Sequence, residues 1–162
     1  MVHPLFLEID KFEAWAKVML SEPLKISAEW ESDYPDWPSI DEQFKDFVHS
    51  TPPSSWSAPV VSRLLYIIAR DIEDGRLMEA LPDHSLALLA EHALMHGEKN
   101  TKWQMALELP RMADKKRAIE LIERYAEDPD GEVKKVALCA LAAAHEGRVV
   151  TYDDLIRPDL PT

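Results

Sequence analysis

The sequence predicts an all-α fold, and three observations carry that prediction. Apolar residues recur at helical spacing through most of the chain. Glycine is scarce, at 4 of 162 residues, whereas the 12 prolines cluster between the periodic segments. Almost no stretch shows the two-residue alternation and tight turn of a β-hairpin. Such a pattern describes amphipathic helices joined by short turns, each burying one face against a neighbour, so that helices stack in pairs. A chain of this length suits one domain, able to bury roughly two-thirds of the surface its unfolded form exposes, without disulfides.

Taken in order, Asp10 with Glu13 resembles a capping box, and Phe12, Trp15, Ala16 and Met19 then share one helical face until Pro23 stops it. Between Pro23 and Trp37 no periodicity is sustained. Glu29, Glu31, Asp33 and Asp36 interleave with Trp30, Tyr34 and Trp37, which reads as an ordered acidic loop. Ser39 with Glu42 offers a second capping box, and Ile40, Phe44, Phe47 and Val48 form the stripe of a short helix ending near His49. Thr51-Pro52-Pro53-Ser54-Ser55 breaks the chain. After Ser57-Ala58-Pro59, with proline early in the helix, Val60, Val61, Leu64, Leu65, Ile67 and Ile68 give a broad apolar face up to Asp71, and this helix is expected to be central. A short helical turn over Arg76–Leu81 follows. Pro82-Asp83 then starts a long helix carrying Leu86, Leu89, Ala90, Ala93 and Leu94, which Gly97 stops.

Internal similarity appears beyond this point. Met105-Ala106-Leu107 lies 31 positions before Val136-Ala137-Leu138, and the same offset relates Asp83 to Asp114 and Ala87 to Ala118. The repeating unit is a helix near Thr101–Met112, a helix near Asp114–Glu127, and a recurrence over Gly131–His145. Pro110 falls inside the first of these and is expected to end or kink it.

The stretch from Asp128-Pro129-Asp130-Gly131 through Val133, Lys134, Lys135, Val136, Ala137 and Leu138 to Cys139-Ala140-Leu141 resembles the first helix of a HEAT repeat, and residues 118–123 resemble a second helix. An Asp caps the helix start, Val133 and Val136 meet the preceding helix, and Ala137 and Ala140 allow close backbone approach. The resemblance covers about residues 57–147. It implies a short alpha-alpha superhelix of HEAT-like hairpins; residues 1–56, of which 1–53 match no repeat, are read as a helical N-terminal cap carrying the acidic, aromatic loop or as the specific binding element, and residues 148–162 as a C-terminal tail. HEAT-like folds host many unrelated roles, so the resemblance specifies architecture better than activity.

Chemistry has few candidates. His92 and His96 lie four apart on one helix, the spacing of a metal pair, but Glu-His-Ala-Leu-Met-His is not the zinc-protease pattern and no third ligand is evident; no metal and no cofactor are expected. Asp71, Glu73 and Asp74 sit in a helix-ending turn where they and Arg70 are expected to be solvated. A catalytic acid pair would need one carboxyl raised in an apolar pocket. Glycine-rich phosphate loops, nucleophile elbows and Cys-x-x-Cys pairs are missing from the sequence, and catalysis is not expected. The single Cys139 lies among Val, Ala and Leu and reads as a small buried residue of a reducing compartment. With no apolar run near ~18 residues and no secretory leader pattern at Met1-Val2-His3-Pro4, the expected compartment is the cytoplasm and no membrane contact is foreseen.

Charge points to the partner. The net charge is −12, from 30 acidic and 18 basic residues, and residues 1–58 hold 11 acids against 4 bases, or −7. Such a field repels phosphate backbones and attracts basic partners, so nucleic acid is not expected as a ligand. The candidate partner-binding residues are Glu29, Trp30, Glu31, Asp33, Tyr34, Asp36, Trp37 and Asp41. Tryptophan and tyrosine there can anchor an interface while the carboxylates steer a basic partner, or the aromatics can instead fold back and plug the open end of the helical stack. The expected function is a non-catalytic binding protein, monomeric when free, most concretely an immunity protein that neutralises a basic bacterial toxin such as a nuclease. Several toxin-immunity families, those of contact-dependent growth inhibition among them, look like this. The alternatives are an enzyme similar to HEAT-like DNA glycosylases, for which Lys115, Lys116, Arg117, Lys134 and Lys135 are the one dense basic group, and a generic scaffold or assembly factor.

Overall fold

A computed structural model of the chain describes residues 1–22 and 26–156. Every regular element among them is helical, with no strand, as the periodicity requires. The chain forms two compact units, one of Met1–Leu81 and one from Pro82 onward. None of the described helices is long and apolar enough to cross a membrane.

The first unit opens with α1 (Pro4–Leu20), which begins well before the Asp10 signal. Its cap is His3, whose Nδ1 accepts the Leu5 N–H at 3.2 Å, and Pro4 is preset for the first helical position. Asp10 caps nothing and pairs instead with Arg63. The helix closes at Ser21, ahead of Pro23, which lies outside the described residues.

Helix α2 (Trp37–Ser50) starts after Asp36, earlier than its expected capping box, and the Ser39 hydroxyl donates to the Asp36 carboxylate at 2.6 Å. α3 (Ala58–Ile68) and the single-turn α4 (Arg76–Ala80) follow, the latter entered through Gly75 at φ +61°, a left-handed conformation that suits glycine. α1 packs against α2 and α3, and α2 against α4. Leu5, Ile9 and Phe12 of α1 meet Ile40 and Phe44 of α2, Leu64, Ile67 and Ile68 of α3, and Leu77 of α4 in one core, all essentially inaccessible to solvent. Each such side chain contributes on the order of 1.5–3 kcal/mol by leaving water. α3, read from sequence as the head of the repeats, belongs to this first unit.

The second unit holds α5 (Asp83–His96), α6 (Lys99–Glu108), α7 (Lys115–Tyr125), α8 (Gly131–His145) and the short α9 (Tyr152–Ile156). α6 ends before Pro110, and the chain passes into a 3-10 turn over Leu109–Arg111, the break that proline imposes. α5 packs on α6 and on α7, α6 on α8, and α7 on α8, so elements related by the 31-residue offset lie against each other. Aspartates cap both later helices: Asp114 accepts the Arg117 N–H at 3.0 Å, and Asp130 those of Glu132 and Val133 at 2.9 and 3.1 Å. The buried Tyr125 hydroxyl donates to the Ala90 carbonyl at 2.7 Å, joining α7 to α5. Within the expected tail, residues 148–156 turn back and place α9 on α8; residues 157–162 lie outside the described set.

Candidate functional site

The aromatic residues of the acidic loop face inward. Phe12 sits among Trp15, Tyr34 and Trp37, with ring centroids 5.7, 5.1 and 5.4 Å away, and Trp30 stacks on Trp15 at 5.7 Å. Tyr34 is buried, whereas Trp30 and Trp37 keep one side toward solvent. The Trp37 indole N–H donates to the Glu31 carbonyl at 2.8 Å, which ties the single 3-10 turn Trp30–Asp33 to the start of α2. Enclosing several rings around Phe12 removes far more apolar area than leaving them on a loop, so the loop folds onto α1.

Beside this cluster lies an indentation of about 70 Å³. Ser32, Trp37 and Asp41 form one part of its lining, and Arg70, Asp71, Ile72, Glu73 and Asp74, from the turn after α3, form the other. Of the residues the sequence nominated, Trp37 and Asp41 reach this place. Glu29 and Asp33 are exposed elsewhere on the loop, and Glu31 and Asp36 are half-buried.

Desolvation dominates the electrostatics here. Burial raises the Asp71 carboxyl above the usual carboxylate range, the Leu77 N–H at 2.9 Å opposes that rise, and the charges of Asp41 and Asp74 reinforce it. Asp41 is likewise raised by burial and held back by Arg76, 3.3 Å away. Arg76 also reaches Asp74 at 3.2 Å, and the Arg70 guanidinium lies over the Tyr66 ring at 4.4 Å. The site therefore holds four carboxylates against two guanidinium groups, and its innermost carboxylate is poorly compensated. Chemically, it can accept a cationic head group.

Asp71 corrects the sequence expectation. Glu73 and Asp74 are solvated as foreseen, but Asp71 is only 6% exposed, because its carboxylate turns inward to accept the N–H of Leu77 at the start of α4. The legible signal was the spacing of an acid, a glycine and a helix start over Asp71, Gly75 and Arg76, which suits a carboxylate closing the turn between two helices.

His92 and His96 are both exposed on α5, and no group of three or more potential ligands is placed for a metal among the described residues. Burial, then the Asp154 charge, raises the Cys139 thiol, opposite to what a nucleophile needs. In the basic group, Lys115 donates to the Pro110 carbonyl at 2.7 Å, and Arg117 pairs with Glu91 and Glu120. Comparison of the chain with protein-family models, with curated protein sequences and with solved structures gave no match.

Proposed function

We propose that this chain is a binding protein for a basic partner, which it receives at the acidic indentation of the first unit. In its most concrete form it is a cytoplasmic immunity protein that neutralises a basic toxin. The observation that carries this reading is the pairing of a buried, under-compensated Asp71 with Asp41 and Asp74 in an indentation sized for one side-chain head. Pockets that enclose drug-sized ligands run to roughly 300–1,000 Å³, so a volume of about 70 Å³ suits the tip of a lysine or arginine better than a whole small molecule. Such a cation would relieve the repulsion among the carboxylates, and the half-exposed Trp37 offers it a ring face. The rim acids Glu73 and Asp74 would steer its approach. Stacking of α5 on α7 and of α6 on α8 supports a HEAT-like frame for the second unit.

Co-expression with the product of the adjacent gene tests the reading. Growth protection and a tight complex are expected. Glu73→Lys combined with Asp74→Lys is expected to weaken the complex about ten-fold or more, since like charges across an interface cost several kcal/mol, while circular dichroism stays unchanged. A complex without protection would favour a scaffold role. Neither complex nor protection would remove the proposal.

A further inference from the structure

Independently of the indentation, the segment that follows α8 has the construction of a movable part. α9 is five residues long, and its one buried side chain is that of Asp154, a charged residue. Of the apolar residues around it, Val149 is 54% exposed, Tyr152 76% and Ile156 57%, while Val150 and Leu155 are half-buried. A helix this short has no stability of its own, and the half-buried Val150 and Leu155 give it only a partial apolar hold.

Polar bonds hold it, and most of them lie within the segment. The Asp154 carboxylate accepts both terminal nitrogens of Arg148, at 2.6 and 2.9 Å, and also the Thr151 N–H at 2.7 Å and the Thr151 hydroxyl at 3.0 Å. Residues 148–154 thereby close into a loop with its own internal clasp. To α8, among the described residues, the Cys139 thiol donates to the Asp154 carbonyl at 3.3 Å, a weak bond. The join is a Schellman turn: the Gly147 N–H reaches the Ala144 carbonyl at 3.1 Å, the Arg148 N–H reaches that of Ala143 at 3.0 Å, and Gly147 sits at φ +70°. A stiff loop, a weak attachment and a glycine at the joint are the parts of a hinged strap.

We propose that residues 147–156 are a strap that lifts from α8 about Gly147 and uncovers the Cys139 face while the rest of the second unit stays folded. Release exposes a strip of α8 that is otherwise covered, and breaking the Asp154 clasp favours release. The strap gates that strip, whatever partner docks elsewhere.

Cys139 is the chain's one cysteine and reports the opening directly. Labelling of the native protein with Ellman's reagent is expected to proceed with a much shallower urea dependence than global unfolding, the mark of a local opening. Asp154→Asn and Thr151→Val are each expected to accelerate labelling about ten-fold with an unchanged circular dichroism spectrum, because each removes part of the clasp. Tyr152→Ala, which alters only an exposed ring, is expected to leave the rate alone. Labelling that tracks global unfolding would overturn the strap. Rates at the wild-type level in both clasp variants would overturn it as well. If either variant fails to fold, the urea dependence of the wild-type protein decides alone.

Discussion

At the scale of single residues, Asp71 is where the chain carries a conflict between burial and charge. Its carboxylate is needed as an acceptor for the Leu77 N–H, yet its charge is opposed by desolvation and by Asp41 and Asp74. Asp71→Asn keeps an acceptor and deletes the charge, so stability at pH 7 is expected to hold or to rise by up to about 1 kcal/mol; Asp71→Ala strands a buried donor and is expected to cost about 1–3 kcal/mol. The pH dependence has a definite sign. The folded-state pKa is raised above the unfolded value, so the unfolded chain releases its proton first. The favourable contribution is complete below the unfolded pKa and disappears as pH rises through the folded one. The wild-type protein is therefore expected to close its stability gap to Asp71→Asn as pH falls from 7 toward 4. Urea midpoints of the two proteins across that range check this, and a gap independent of pH would show that the Asp71 charge is not the cause.

At the scale of elements, the turn into α8 shows why some boundaries were legible and others were not. Asp130 caps the helix through local bonds two and three residues away, and such bonds are written into adjacent positions, so Gly131–His145 is the span the pattern predicts. Asp128 does something the pattern does not carry: its nearly inaccessible carboxylate accepts the Asp130 N–H at 2.9 Å and Lys102 Nζ at 2.7 Å, fastening α6 to the α7–α8 turn. Asp128→Ala leaves the part-buried Lys102 without its carboxylate and is expected to cost about 3–5 kcal/mol in chemical denaturation, whereas replacing both partners by apolar residues is expected to recover the part due to the stranded Lys102 charge but not the part due to the lost Asp130 N–H acceptor. A cost for the single variant no larger than that of a surface pair would mean the fastening is unimportant. The same contrast explains the misread start of α1. Asp10 and Glu13 have capping-box spacing, but Arg63, 53 positions away, takes Asp10, and the helix had already begun at a histidine cap, a residue type outside the usual preference. α9 is too short to carry a helical stripe in the sequence, and its clasp depends on Arg148 turning back onto Asp154 after the Gly147 joint.

At the scale of the whole molecule, the indentation was half legible for a physical reason. Trp37 and Asp41 belong to one run of acids and aromatics, a local pattern. The carboxylates they meet come from about thirty positions further on, and only folding juxtaposes them. Net charge, by contrast, needs no fold: residues 1–81 carry 15 acids and 7 bases, and residues 82–162 carry 15 and 11, giving −8 and −4. Net charge and local pattern can be separated by screening. At about 0.01 M salt the Debye length is near 30 Å, so an approaching partner feels most of the molecule; at about 0.15 M it is near 8 Å, so only charges close to the contact act. Combining Glu73→Lys with Lys116→Glu alters the rim of the indentation and leaves the total at −12. With the cognate basic partner, stopped-flow association of this double variant is expected to stay within about two-fold of wild type at the lower salt and to fall several-fold at the higher. Equal rates at both salts would remove the indentation from the proposed binding of a basic partner.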